Sequence, residues 1–376
     1  MQEPIHMVDL VKQYQHIQKE IDEAILNVVR SSRYIKGPQV DAFEDELAQY
    51  LDVKHVISCA NGTDALQIAL MAIGLKPGDE VIIPSFTYVA TAEVIGLLQF
   101  VPVMIDVDKD TFNVTGELIE AAITDKTRAI VPVHLFGQSA PMDEVMAVAR
   151  KHDLFVVEDN AQAIGATYHS DSGKSAKTGT IGDIGCTSFF PSKNLGCFGD
   201  GGALFTNDDV LAAKIRMIAN HGQSRQYYHD LLGVNSRLDA IQAAVLRIKL
   251  KHLDHYCGMR ARAADSYDDM FYDHRHIITP YRVDYSTHVF HQYTLQVPPA
   301  DRDSLREHLA ALDIPSMIYY PVPLYKQKAY TPYWEAGKEL ENTETLCASV
   351  ISIPVHTEMN KKLLDYIGEG VLSYFG

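Results

Sequence analysis

From about residue 55 the chain alternates short β-rich apolar runs with helical patterns: HVISC then TDALQIALMAIG, EVIIP then YVATAEVIGLL, VPVMIDV, RAIVPVHLFG then PMDEVMAVARKH, and LFVVED. Strands that return by way of helices pair mainly in parallel, and the helices cover both faces of the sheet. The runs are apolar throughout rather than at every second residue, as a sheet buried on two sides requires. An α/β fold is therefore expected. Leu66, Ala69, Leu70 and Ile73 follow helical spacing, as do Met142, Val145, Met146 and Ala149, so both helices have one buried face. In such sheets ligands collect beyond the carboxyl ends of the strands, which directs attention to residues 61–63, 85–88, His134, 159–162 and 188–193.

Outside this region, Ile17, Ile21, Ala24, Ile25 and Val28 predict an amphipathic helix over 17–29, ended by a loop with Gly37 and Pro38. A second long helix is predicted from about 238 to 253, after which Tyr- and His-rich segments carry Pro280, Pro298, Pro315, Pro321 and Pro323. The expected division is residues 1–250, an N-terminal arm and large domain, and 251–376, a smaller C-terminal domain. At 376 residues and 47% hydrophobic the chain can bury a sizeable core unaided. The net charge of −16 repels phosphate backbones and anionic membranes, which argues against nucleic-acid binding, while a local pocket of backbone N–H groups can still take an anion. The five cysteines are scattered, with no C-x-x-C pair, which fits a reducing cytoplasm. No signal peptide is visible, and the longest apolar stretch, 94–105, is far short of the ~20 residues that span a bilayer.

Several motifs fail on inspection. Gly173-Lys174-Ser175 lacks the earlier glycine of a nucleotide-binding loop, with Tyr168 in its place, and reads as a solvated turn. Gly199-Asp200-Gly201 would need a third glycine where Leu204 stands, so a nicotinamide-dependent oxidoreductase has no fingerprint here. The pairs His252/His255 and His288/His291 have no convincing third ligand, so no metal site is expected. There is no G-x-S-x-G, and Ser-x-x-Lys fails because Phe190 stands three residues before Lys193.

One constellation survives. In CTSFFPSKNLGCFGDGG a lysine, Lys193, lies between an apolar strand-like run and a glycine-rich loop. Packed among Phe189, Phe190 and Phe198, its amine would be desolvated, which favours the neutral nucleophile that forms a Schiff base. Asp159 closes a buried strand, where a carboxylate suits the pyridine nitrogen of a pyridoxal cofactor, and Gln162 could reach that ring's hydroxyl. Residues 61–64 (NGTD) open a helix after a strand, a setting for a phosphate, and Tyr88 could stack on a ring.

The segments SCANGTDAL, PSFTYVATAE, VEDNAQAIGA, TSFFPSKNLG and GVNSRLDAIQAA resemble, in order and spacing, the pyridoxal phosphate (PLP)-dependent sugar aminotransferases of the DegT/DnrJ/EryC1/StrS family. The resemblance implies the aspartate-aminotransferase architecture (fold type I): a large domain around a mainly parallel seven-stranded sheet, a smaller C-terminal α+β domain, and a homodimer with shared sites. It implies that Lys193 carries PLP, that Asp159 pairs with the pyridine nitrogen and that Gln162 contacts the ring hydroxyl. By the same resemblance Gly62, Thr63 and Ser188 hold the phosphate, Tyr88 stacks on the ring, and Asn235 reaches the phosphate from the neighbouring subunit. Glutamate would give its amino group to the cofactor and leave as 2-oxoglutarate, and a keto-sugar nucleotide would then take the group from the pyridoxamine form.

Within the family the chain is most similar to enzymes that aminate UDP-linked 3-keto-N-acetylglucosaminuronic acid for surface polysaccharide, lipopolysaccharide included. There Arg237 and the segment at Tyr319 and Tyr320 would meet the substrate carboxylate. Tyr319 and Tyr325 depart from the histidines of some relatives, which removes a potential positive charge. The alternatives are a dTDP-linked 3-keto or 4-keto 6-deoxyhexose as substrate, and a non-catalytic binding or regulatory protein on the same fold.

Overall fold

The computed structural model describes residues 4–335 and 337–376. Its central sheet is built from β1 (His55–Cys59), β2 (Glu80–Pro84), β3 (Val101–Ile105), β4 (Thr127–Ile130), β5 (Phe155–Asp159), β8 (Ile184–Ser188) and β9 (Gly202–Thr206). The spatial order is β1-β9-β8-β5-β4-β2-β3. Only β9 runs against its neighbours, β1 and β8, and the remaining pairs are parallel. Between β5 and β8 a hairpin of β6 (Thr167–His169) and β7 (Ser175–Lys177) carries the turn with Gly173. Beyond β9 come the short β10 (Gln223–Arg225) and β11 (Tyr228–His229).

The pleat sends alternate residues to opposite faces, and the sequence supplies apolar residues to both. Ile57, Val81, Ile83, Val157 and Leu204 enter a core with α3 (Gly62–Ala72), α4 (Ala90–Leu97) and α7 (Asp209–Ile218). On the other face Val56 and Phe205 pack with α2 (Pro38–Leu51) and α8 (Ala240–Leu250), while Ile82 and Val156 pack with α6 (Met142–His152) and the short α5 (Gly116–Glu120). A further core gathers the later part of α9 (Leu253–Phe271), the antiparallel pair β12 (Tyr293–Gln296) and β13 (Val350–Ile353), α10 (Arg302–Ala311) and α12 (Lys361–Phe375). The first turn of α9 belongs to the large core through Leu253 and Cys257, so this helix joins the two. The segment leading into β13 is α11 (Glu341–Ser349). No helix among the described residues is long and apolar enough to cross a membrane.

Three boundaries differ from expectation. The first helix, α1, spans Leu10–Ser31 rather than 17–29, because the Asp9 side chain accepts from the Lys12 amide and caps a turn the apolar pattern does not mark. Pro38 is not loop: it occupies the first turn of α2, where its missing N–H costs nothing. The helix expected over 238–253 is α8, ending at Leu250, with Leu253 already starting α9.

Next to the strand end that bears Asp159 lies a fully buried carboxylate–imidazole hydrogen bond. Glu158 accepts hydrogen bonds from the amides of Gly179 (2.8 Å), Ile181 (2.7 Å) and Gly182 (2.6 Å) and contacts His134 Nε2 at 2.8 Å. The Ala140 amide donates to His134 Nδ1, which leaves the ring proton on Nε2, facing the carboxylate. Burial pushes the Glu158 carboxyl up, but His134 and the backbone donors outweigh it and hold it below 4.5. Its contribution is therefore complete above the ordinary carboxylate range and drains away as pH falls through its own, lower value. Glu158→Gln turns an amide N–H toward these donors and is expected to cost about 1–3 kcal/mol at pH 7. Urea unfolding checks this, with the gap between parent and variant narrowing in acid.

Candidate active site

The carboxyl ends of β1, β2, β5 and β8 open on a cleft of about 800 Å³ lined by Gly62, Thr63, Tyr88, Asp159, Gln162, Ser188, Lys193, Tyr319 and Tyr320. These residues come from five stretches of chain, four of them at or just past the carboxyl ends of β1, β2, β5 and β8 on one edge of the sheet and the fifth being the segment at Tyr319 and Tyr320. Asn61, Asp64, Asp200, His291 and Gln292 also face the cleft.

Its floor begins at the N-terminus of α3. The Asn61 side chain accepts from the Asp64 amide at 2.8 Å, capping the helix, and the Gly62 and Thr63 amides in the first turn have no intrahelical acceptor. Ser236 Oγ donates to the Asp64 carboxylate at 2.6 Å. A Cβ on Gly62 would sit 2.7 Å from Ser188 Cβ, so glycine lets the helix end approach β8 and form a cradle of backbone N–H groups beside the Ser188 hydroxyl. Gly62→Ala is expected to cost about 1–3 kcal/mol in stability. The same substitution should weaken capture of a phosphate-bearing ligand, and thermal melts with and without added PLP separate the two effects.

Asp159 is buried at the end of β5, where Oδ1 accepts from the Ala161 amide (3.1 Å) and Oδ2 from Thr91 Oγ1 (3.0 Å). Burial raises its carboxyl above 3.8, against the pull of these donors and of Lys193. Lys193 is half-buried, and its Nζ lies 3.3 Å from His291 Nε2. Burial lowers its amine from 10.5 to about 8, with Asp159 acting in the opposite sense. The amine therefore stays largely protonated at neutral pH but gives up its proton far more readily than an exposed lysine. Gln162 is held at both ends: its Oε1 accepts from the Phe136 amide at 2.7 Å, and its Nε2 donates to the Tyr320 hydroxyl at 3.1 Å. Tyr88 is well exposed in the cleft and lies tilted against Tyr320, ring centres 6.3 Å apart.

Not every expectation is met within one chain. Asn235 is exposed and Arg237 lines a separate groove with Lys36, Glu44 and Arg216; neither faces the cleft. The aromatic surroundings expected for Lys193 are also different. Phe189 is buried in the core with Phe43, and Phe198 packs against Tyr14 with the Lys249 ammonium over its ring, so of the three only Phe190 reaches the cleft. Chain neighbours near a strand end point to different sides, and the enclosing walls come from distant segments instead. Tyr325 is buried, stacked on Trp334 and hydrogen-bonded to Glu344, away from the cleft, so its departure from histidine does not touch the site. Tyr319 does line it.

Sequence reading missed Thr91, His291 and Gln292. Thr91 carries no motif of its own. His291 drew attention only as half of a failed metal pair, and its partner His288 is instead stacked on Phe290. Among the described residues no group of three or more His, Cys, Asp or Glu is placed to hold a metal.

The mixed seven-stranded sheet, with a lysine in the loop after β8, a buried carboxylate and a helix N-terminus in one cleft, is that of an aminotransferase of fold type I. The chain belongs to the DegT/DnrJ/EryC1/StrS aminotransferase family, whose model matches residues 15–372. It is 46% identical to the UDP-2-acetamido-2-deoxy-3-oxo-D-glucuronate aminotransferase of Pseudomonas aeruginosa over 94% of this chain and 95% of that one. It is 43% identical to a protein of Geobacillus stearothermophilus named a pleiotropic regulatory protein, over 99% and 98%. Among solved structures, Streptomyces venezuelae DesV in complex with a ketimine intermediate matches with a TM-score of 0.94 and 38% identity, covering 99% of this chain and 98% of that one. Bacillus subtilis NtdA with bound cofactor PMP matches with a TM-score of 0.87 and 30% identity, over 95% and 81%.

Proposed function

We propose that this enzyme moves an amino group from glutamate to UDP-linked 3-keto-N-acetylglucosaminuronic acid with PLP as cofactor. The observation that carries the reading is the meeting of Lys193, buried Asp159 and the Gly62–Ser188 cradle in one cleft. These residues fit the cofactor: the cradle and Thr63 suit its phosphate, Asp159 its pyridine nitrogen, Gln162 its ring hydroxyl and Tyr88 its ring face. When bound, PLP supplies an electron sink for the carbon that gains or loses the amine. Asp159 keeps a proton on the ring nitrogen, and Thr91 and the Ala161 amide keep that carboxylate oriented. Lys193 Nζ would take the proton from the α-carbon of glutamate and, on the return, deliver one to the sugar carbon that gains the amine.

Both glutamate and the uronate carry carboxylates, yet among the described residues no arginine lines the cleft of one chain. In this reading Arg237 of a second copy supplies that cation, and Asn235 of the same copy reaches the phosphate, in a homodimer with shared sites. Tyr227 and Leu232, 82% and 90% exposed in the loop that leads to these residues, suit burial against a second copy. The choice of sugar is supported by the near full-length similarity to the Pseudomonas aeruginosa enzyme. Five buried free thiols fit a cytoplasmic setting.

The test is a visible spectrum of the protein with PLP, then with glutamate, then with the 3-keto-uronate generated in place. A band that glutamate converts and only the uronate restores supports the reading. Restoration by a dTDP-linked keto-deoxyhexose alone overturns the sugar, and no band at all overturns the enzyme reading in favour of a binding protein.

A further inference from the structure

His291 lies 98 residues beyond Lys193 in sequence, and its Nε2 comes to 3.3 Å from the lysine Nζ. The residue is 5% exposed and its other ring nitrogen, Nδ1, has no hydrogen-bond partner. A buried imidazole with one idle nitrogen costs stability that an apolar side chain would not, so packing alone does not account for it. Its placement is fixed through the backbone. The His291 amide donates to the Phe136 carbonyl at 2.8 Å, and Phe136 is in turn held by Gln162. The fully buried Arg260 donates to the carbonyls of Phe290 (3.2 Å), His291 (3.4 Å) and Val355 (2.8 Å). Gly137, at φ +106°, makes room for this: a Cβ there would lie 2.9 Å from the Phe290 amide and 3.0 Å from that of His291.

We propose that His291 is a positioning residue whose neutral imidazole accepts a hydrogen bond from the Lys193 ammonium and keeps that side chain in the cleft whenever it is not bonded to a cofactor. The charged groups facing the pair are Asp159 on the lysine side and Arg260 on the histidine side. Burial, together with the cations of Lys193 and Arg260, drives the imidazole well below 6.5, so it stays an acceptor while the lysine alone gains and loses the proton. A long flexible side chain is thereby returned to one place between uses.

The role depends on the proposed assignment of Lys193, but its test reads the lysine itself rather than turnover. In the full chain without cofactor, the pH dependence of Lys193 acetylation by acetic anhydride, followed by peptide mass spectrometry, gives the midpoint of the amine. The parent is expected near about 8. His291→Phe removes the acceptor while burial remains, so the midpoint falls by about one pH unit, a tenfold change in the protonation equilibrium. His291→Gln, whose side-chain oxygen can still accept, returns it toward the parent value. A folded His291→Phe protein with the parent midpoint overturns the proposal. Should that variant fail to fold, 15N spectra of histidine-labelled parent and Lys193→Met decide: Nε2 of His291 must be unprotonated in the parent and must shift in the variant, and an unchanged signal overturns the role. A downward midpoint with no sugar amination would leave the positioning role intact and remove only the substrate assignment.

Discussion

Lys193→Ala is expected to fold as the parent does and to lose turnover by at least about 10⁴-fold, the upper range for one proton-transfer group, since the covalent anchor goes with it. The structural cost is small because among the described residues the one side-chain hydrogen bond of the amine is to His291, and losing one such bond costs roughly 1 kcal/mol. The parent should bind PLP in a form that borohydride fixes to Lys193, whereas the variant should show only the spectrum of reversibly bound cofactor. Transamination by a folded Lys193→Ala protein would falsify the assignment.

Asp159→Asn keeps the shape of the side chain and removes its charge. Retained cofactor and a loss in kcat of about 10²–10³-fold are expected, the scale of removing one preorganised electrostatic contact. Stability should move the other way. The Asp159 carboxyl titrates above 3.8 in the fold, so ionising it weakens the cofactor-free chain once pH rises through that raised value. The asparagine protein without PLP should therefore melt at or above the parent at pH 7 and level with it near pH 3. A charge that destabilises the empty protein and serves the loaded one is the usual exchange of stability for activity. Equal kcat in parent and variant would remove Asp159 from the chemistry.

What could be read from the sequence were features whose cause is local. The strand and helix alternation of 55–159 follows from apolar patterning, and the helix cap at Asn61 from its residue type, so the sheet and the cradle were legible. Asp159 ends β5 and Lys193 lies in the loop just after β8, and strand ends can be located without knowing which strands are neighbours. Thr91 and His291 were not legible because their meaning depends on the partner across the cleft: Thr91 matters through Asp159, 68 residues on, and His291 through Lys193. Arg237 and Asn235 show the converse limit. Their motif is plain in the sequence, yet the fold of one chain places them outside its own cleft. The aromatic surroundings of Lys193 were misjudged for a related reason, since adjacency along the chain says little about enclosure where a strand becomes a loop.

The cleft is tied together by contacts between residues far apart in the chain: Lys193 with His291, Gln162 with Tyr320 across 158 residues, and the Ala60 amide with Ser236 across 176. Contacts of this range form late, because closing long loops is paid for before they return anything. A half-made chain, or one with the later segments undocked, has the lysine but neither its histidine nor the tyrosine that holds Gln162. Tight cofactor uptake then becomes a report of completed folding, and the colour of the bound cofactor, followed during refolding, should appear only with the last phase of structure formation.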